Sequence, residues 1–209
     1  MTTPILGSHN SMSYLRPRRW WMHLIRIFAR CQSKTIQQQV DGGVRCFDLR
    51  ISFTSGNMAI FSHGLVDFHV PVDFPKCIPN VPHPLIYPVH CVLGVLNTLA
   101  LDANTPVYVR FILEKINQES DIDSFRKLCA VAEHTYSGLT FIGGVYKKTW
   151  QQLYDFHDPI IEADIDQPIG SMASDARWYE RIIPILYARR KPAPATIADN
   201  IKIILRDFV

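Results

Sequence analysis

Two short runs, YVRFIL at residues 108–113 and IKIIL at residues 201–205, are apolar at consecutive rather than strictly alternating positions. A strand built this way is apolar on both faces, which suits a parallel sheet covered by helices. Apolar runs alternate with amphipathic segments in a β/α rhythm, with no repeat or charge block. The pattern predicts strands over 4–7, 44–53, 58–62, 107–114, 140–145, 160–165, 184–187 and 201–208, and helices over 20–30, 34–41, 90–102, 122–134, 150–156 and 175–182. The proline-rich stretch VPVDFPKCIPNVPHPLIYP reads as a long irregular connection, since each proline removes a backbone donor. The fold class is α/β. About eight strands predict a (β/α)8 TIM barrel, distorted or incomplete because ~250 residues is typical and this chain has 209. An open doubly wound sheet is the alternative, weakened because no GxGxxG or GxxxxGK follows a strand.

With 47% hydrophobic and 20% charged residues, the chain predicts one globular domain over 1–209. A net charge of +3 is too small to argue for nucleic acid and is compatible with an anionic substrate or lipid surface. Cys31, Cys46, Cys77, Cys91 and Cys129 show no CxxC pair and no metal-ligand spacing, so they read as reduced core thiols. No apolar run approaches ~20 residues, and the first strand begins too early to leave room for a signal peptide. The expected location is cytoplasmic, and the expected state a monomer.

Polar residues at strand ends carry the chemistry. In GGVRCFDLRISF, side chains two apart share a face, which groups Asp48 with Arg50 near the strand's C-terminal end, where barrel active sites form. An ordinary ion pair is the plainer reading. His9 in GSHNS and His63 in FSHGL each follow a strand in a polar, glycine-containing context. Alternation in VYVRFILE puts Tyr108, Arg110, Ile112 and Glu114 on one face. The last strand ends at Asp207, which barrel closure would bring beside His9; a frayed C-terminal acid is the alternative.

These residues in this order, GSHNS, QQQVDGGVRCFDLRI, FSHGL, a strand ending in Glu114, and LRDFV, resemble the catalytic X-domain of phosphatidylinositol-specific phospholipase C and the wider superfamily of phospholipase-C-like phosphodiesterases. Residues 4–65 carry the specific motifs. The resemblance implies a distorted TIM barrel that cleaves a phosphodiester by attack of the inositol 2-hydroxyl on phosphorus. His9 is then the general base, oriented by Asp207, and His63 the general acid. Arg50 stands where metal-independent relatives clamp phosphate with an arginine, whereas Asn10, Asp48 and Glu114 match calcium-ligand positions of the metal-dependent relatives. The expectation is no cofactor, with calcium the less favoured alternative. Since Asn10 departs from the bacterial aspartate, Asp48 or Glu114 is the expected support for His63.

Arg110 and Lys115 are candidate substrate contacts, with Asp164 and Tyr187 as further candidates. The segment RPRRWWMHLIRIFAR mixes cations with Trp20, Trp21, Leu24, Ile25 and Phe28, which suits peripheral contact with a phospholipid membrane; the buried face of a barrel helix is the alternative. The functional alternatives are a metal-dependent glycerophosphodiester phosphodiesterase, disfavoured by Arg50, and a catalytically silent headgroup-binding module, disfavoured by retention of both histidines.

Overall fold

The eight residues CFDLRISF form a strand buried along its whole length, β3 (Cys46–Phe53). Its odd-numbered side chains, Phe47, Leu49, Ile51 and Phe53, enter the main apolar core, while Cys46, Asp48, Arg50 and Ser52 occupy the opposite face and are buried as well. That second face positions the site. The computed structural model describes residues 5–69, 87–156 and 203–206.

In chain order the elements are β1 (Ile5–Ser8), β2 (Arg16–Pro17), α1 (Met22–Ile25) running into a 3-10 turn (Arg26–Phe28), α2 (Ile36–Asp41), β3, β4 (Ala59–His63), β5 (Val66–His69), α3 (Tyr87–Ala103), β6 (Val107–Leu113), α4 (Ser120–Thr135), β7 (Leu139–Tyr146), β8 (Gln151–Gln152) and β9 (Ile203–Arg206). Strands β9, β1, β3, β6 and β7 are adjacent in that order and parallel. The antiparallel ribbon β4–β5–β2 leaves the C-terminal end of β3, and β8 turns back antiparallel on β7. The α/β class holds; among the described residues the sheet does not close into a barrel.

Local chemistry explains the helices. Thr35 and Gln38 form a reciprocal capping box at the start of α2, and Gly43 at φ +89 follows its end. In the first turn of α4, Asp121 accepts the backbone N–H groups of Asn117 and Gln118, and Phe125, Leu128, Cys129 and Ala132 form the helix's buried stripe. On the inner face of the sheet Cys46, Ile142, Ile203 and Leu205 form a small separate cluster. One layer along the strands, this floor gives way to charged groups.

Three expectations need correction. The 150–156 segment is not a helix but carries β8, because Trp150 takes φ +53 and reverses the chain. The 20–30 helix breaks after one α-helical turn, because Arg26 turns inward to donate to the carbonyls of Tyr14 and Leu15. Cys31, Cys46 and Cys129 are buried thiols, but Cys91 is disulfide-bonded, a pairing that sequence spacing does not encode. The strands expected at 160–165 and 184–187, the helix at 175–182, and Asp164, Tyr187 and Asp207 lie outside the described residues.

Candidate active site

β1 pairs with the start of β3, Ser8 opposite Phe47, so the chain leaving β1 meets Asp48 at its next step. Asn10 adopts φ +44 there, and its backbone N–H donates to Asp48 Oδ2 at 3.0 Å while Ser11 N donates to the Asp48 carbonyl. His9 is thereby held over the end of β3. Its Nε2 lies 2.6 Å from Arg50 Nη2 and 4.0 Å from Asp48 Oδ2.

Arg50 is the hub. Its Nε donates to Asp48 Oδ2 at 3.0 Å, and its Nη1 pairs with Glu114 Oε2 at 3.5 Å. Glu114 follows β6 and also accepts the Gly64 backbone N–H at 2.7 Å and the ammonium of Lys147, which follows β7. Burial opposes ionisation of Asp48, yet Arg50, Arg110 and the Asn10 N–H overcome it and hold the carboxyl well below its ordinary value. Burial likewise opposes the charge on Arg50, and Asp48 and Glu114 outweigh it, raising the guanidinium above its ordinary value.

His63 ends β4, and Gly64 after it takes φ +56, a conformation glycine adopts at little cost, presenting its N–H to Glu114. The His63 ring meets that of His9 edge-on with centroids 6.0 Å apart. Its Nδ1 lies 2.9 Å from the carbonyl of Ala29, so Nδ1 carries the proton and donates. Burial, then repulsion by Arg50 and Lys147, push His63 well below its ordinary value, against the small upward pull of that carbonyl. The resting ring is neutral.

The structure therefore brings together Asp48 and Arg50 within β3 and His9, His63 and Glu114 from the ends of β1, β4 and β6. Arg110 faces Asp48 across the β3–β6 ladder and lies 5.4 Å from the centroid of the Trp150 ring. Neither Asp48 nor Glu114 supports His63 as expected, because the Ala29 carbonyl takes Nδ1. Asn10 acts through its backbone; its buried carboxamide has no hydrogen-bond partner among the described residues. Lys115 pairs with Asp67 at 2.8 Å, so the cation at Glu114 is Lys147 and not Lys115. Sequence reasoning missed Lys147, although its place after the strand LTFIGGVY is the same signal that marked Glu114. Trp20 and Trp21 are both exposed.

Calcium takes six to eight oxygen ligands. Here the guanidinium of Arg50 already bridges Asp48 and Glu114, so a cation placed among these oxygens would meet a fixed positive charge. Among the described residues no group of three His, Cys, Asp or Glu side chains is arranged to hold a metal. The residues do not fit calcium.

No family model matches the chain, and no curated protein matches it in sequence. Among solved structures, the chain is similar to phosphatidylinositol-specific phospholipase C from Listeria monocytogenes, at 21% identity and TM-score 0.41, over 62% of this chain and 39% of that one. It is also similar to a structure of the Staphylococcus aureus phosphatidylinositol-specific phospholipase C, at 18% identity and TM-score 0.42, over 66% of this chain and 46% of that one. The match thus spans less than half the length of these bacterial phospholipase C structures, to which the chain is similar.

Proposed function

We propose that the chain is a phosphodiesterase of the phospholipase C kind that cleaves an inositol phospholipid without a metal in the chemical step. The observation that carries the reading is two histidines with ring centroids 6.0 Å apart, sharing a site with a guanidinium held by two buried carboxylates. In the reaction Arg50 turns from His9 to the phosphate, and the freed His9 nitrogen takes the proton of the hydroxyl next to the phosphate. That oxygen bonds to phosphorus, the bond from phosphorus to the diacylglycerol oxygen breaks, and His63 delivers a proton to the departing oxygen. The products are a cyclic phosphodiester and a neutral alcohol. The charge growing on the phosphoryl oxygens falls against Arg50.

A neutral His63 is no acid, so substrate must change its state. The diester anion seated on Arg50 offsets the repulsion that keeps the ring unprotonated, and His63 gains its proton in the complex. Arg110 and Lys147 flank the headgroup side, and Asp207, next in the chain after Arg206, orients His9. The last strand lying beside the first, with Arg206 opposite Ser8, supports reading the fold as an incomplete (β/α)8 barrel.

Exposed Trp20, Leu24, Ile27 and Phe28, interleaved with arginines, support peripheral docking on a phospholipid surface; among the described residues no helix is long and apolar enough to cross a membrane. The test is an assay on phosphatidylinositol vesicles and on glycerophosphodiesters, each with and without chelator. Release of inositol cyclic phosphate that survives chelator is expected. Cleavage of glycerophosphodiesters alone, or full dependence on calcium, overturns the reading.

A further inference from the structure

Cys31 Sγ lies 3.8 Å from Nδ1 of His63, beside the Ala29 carbonyl that accepts from that nitrogen. The side chain is buried, and its backbone is fixed. Ser13 Oγ accepts the N–H groups of Cys31 and Gln32 at 2.9 and 2.8 Å, and the Gln32 amide donates to the His9 carbonyl at 3.1 Å. One short segment, 29–32, therefore touches both histidines. The guanidinium of Arg50 is within electrostatic reach of the same sulfur.

An imidazolium is stabilised by a negative charge at the nitrogen that faces away from the reacting atoms. Among the described residues no carboxylate does this for His63. Asp48 is engaged by Arg50 and the Asn10 N–H, and Glu114 by Arg50, Lys147 and the Gly64 N–H. The charges facing the ring are Arg50 from β3 and Lys147 after β7, with the His9 ring edge-on. On the segment itself, Arg30 donates to the Gln32 carbonyl at 3.2 Å. A thiol set beside an imidazole and a guanidinium has surroundings that favour its thiolate.

We propose that Cys31 is a positioning residue for His63 and supplies, as a thiolate, the negative charge that keeps the ring protonated until the leaving oxygen departs. This role rests on the phosphodiesterase reading above and adds a residue to it. When the diester seats on Arg50, Nε2 of His63 takes a proton from solvent and Sγ of Cys31 releases one to solvent. The pair passes from thiol and imidazole to thiolate and imidazolium with no change in net charge, and titrates as one unit. His63 then gives the Nε2 proton to the leaving oxygen, and the sulfur takes a proton back.

The test compares wild type with Cys31→Ser, whose hydroxyl takes the place of the thiol without ionising, and with Cys31→Asp, which carries a negative charge. On phosphatidylinositol vesicles, the alkaline limb of the kcat profile is expected to move down by about one unit in Cys31→Ser. At a pH above both limbs, kcat then falls about tenfold with KM unchanged. Cys31→Asp is expected to return the limb to its wild-type position. A second measurement needs no turnover. With inositol cyclic phosphate bound, the ultraviolet thiolate absorbance of wild type minus Cys31→Ser is expected to titrate below ~8.5, the ordinary thiol value. Burial pushes Cys46 up to about 12 and Cys129 well above its ordinary value, so neither adds to the signal. An alkaline limb unmoved in Cys31→Ser, or a thiolate signal that rises only above ~8.5, overturns the pairing and spares the phosphodiesterase reading. A wild type that cleaves no phosphodiester overturns that reading and the role of Cys31 with it.

Discussion

Nη2 of Arg50 stands 2.6 Å from Nε2 of His9. A guanidinium only donates, so Nε2 of His9 is the acceptor, and the neutral ring carries its proton on Nδ1. The nitrogen poised to take a proton is thus already engaged by the group that will hold the phosphate. Base and anion clamp are coupled through one hydrogen bond.

Removing the guanidinium leaves Asp48 and Glu114 buried without their shared counter-charge. Arg50→Met is expected to lower stability by about 3–5 kcal/mol and turnover by roughly two to three orders of magnitude. Arg50→Lys keeps a charge but not the bridging geometry, so it recovers part of the stability and little of the turnover. Urea unfolding and steady-state assays on the same preparations separate the two effects.

His9→Ala and His63→Ala are each expected to lower turnover by roughly two to four orders of magnitude, the range for losing a positioned acid or base. Calorimetric titration with inositol cyclic phosphate should still detect binding in both variants. Turnover near that of the wild type in either one removes the two-histidine mechanism.

Asp207→Asn is expected to lower turnover at least tenfold, because an amide supplies no negative charge to an imidazolium. Unchanged turnover frees His9 from this partner.

His90 is buried, with Nδ1 2.6 Å from the Tyr136 hydroxyl, and burial lowers it to about 4. Between its ordinary value near 6.5 and 4, the unfolded chain takes up a proton that the folded chain refuses. Stability therefore falls as pH falls through that window and is fully present above it. His63, also lowered, adds a loss of the same sign. Thermal midpoints measured from pH 4 to 8 should decline toward acid, and His90→Phe should flatten the slope.

Gly144 has φ +71, and a Cβ there would lie 2.2 Å from the Tyr154 carbonyl oxygen. Gly144→Ala is expected to cost about 2–4 kcal/mol, combining strain with a clash against backbone. At Gly56 the nearest atom to an added Cβ is Thr54 Oγ1 at 3.9 Å, so Gly56→Ala should stay within ~0.5 kcal/mol. Thermal unfolding of the pair provides the comparison.

Period-two alternation in CFDLRISF was enough to put Asp48 and Arg50 on one face, and the strand ends at His9, His63 and Glu114 were legible from the polar residues that follow apolar runs. These are local properties, set by side-chain direction along a single strand. The partners were not legible. Lys147 and not Lys115 reaches Glu114, the Ala29 carbonyl and not a carboxylate fixes His63, and Trp150 turns the chain where its neighbours read as helix. Burial and the convergence of several cations decide that His63 rests neutral, and both arise only when β3, β4, β6 and β7 are assembled. The sequence by itself determined which residue types stand at the strand ends, because one strand's geometry suffices for that. Only the tertiary structure decided which of them touch and which carry protons, because hydrogen bonds and charge interactions depend on distances across the sheet that no local pattern encodes.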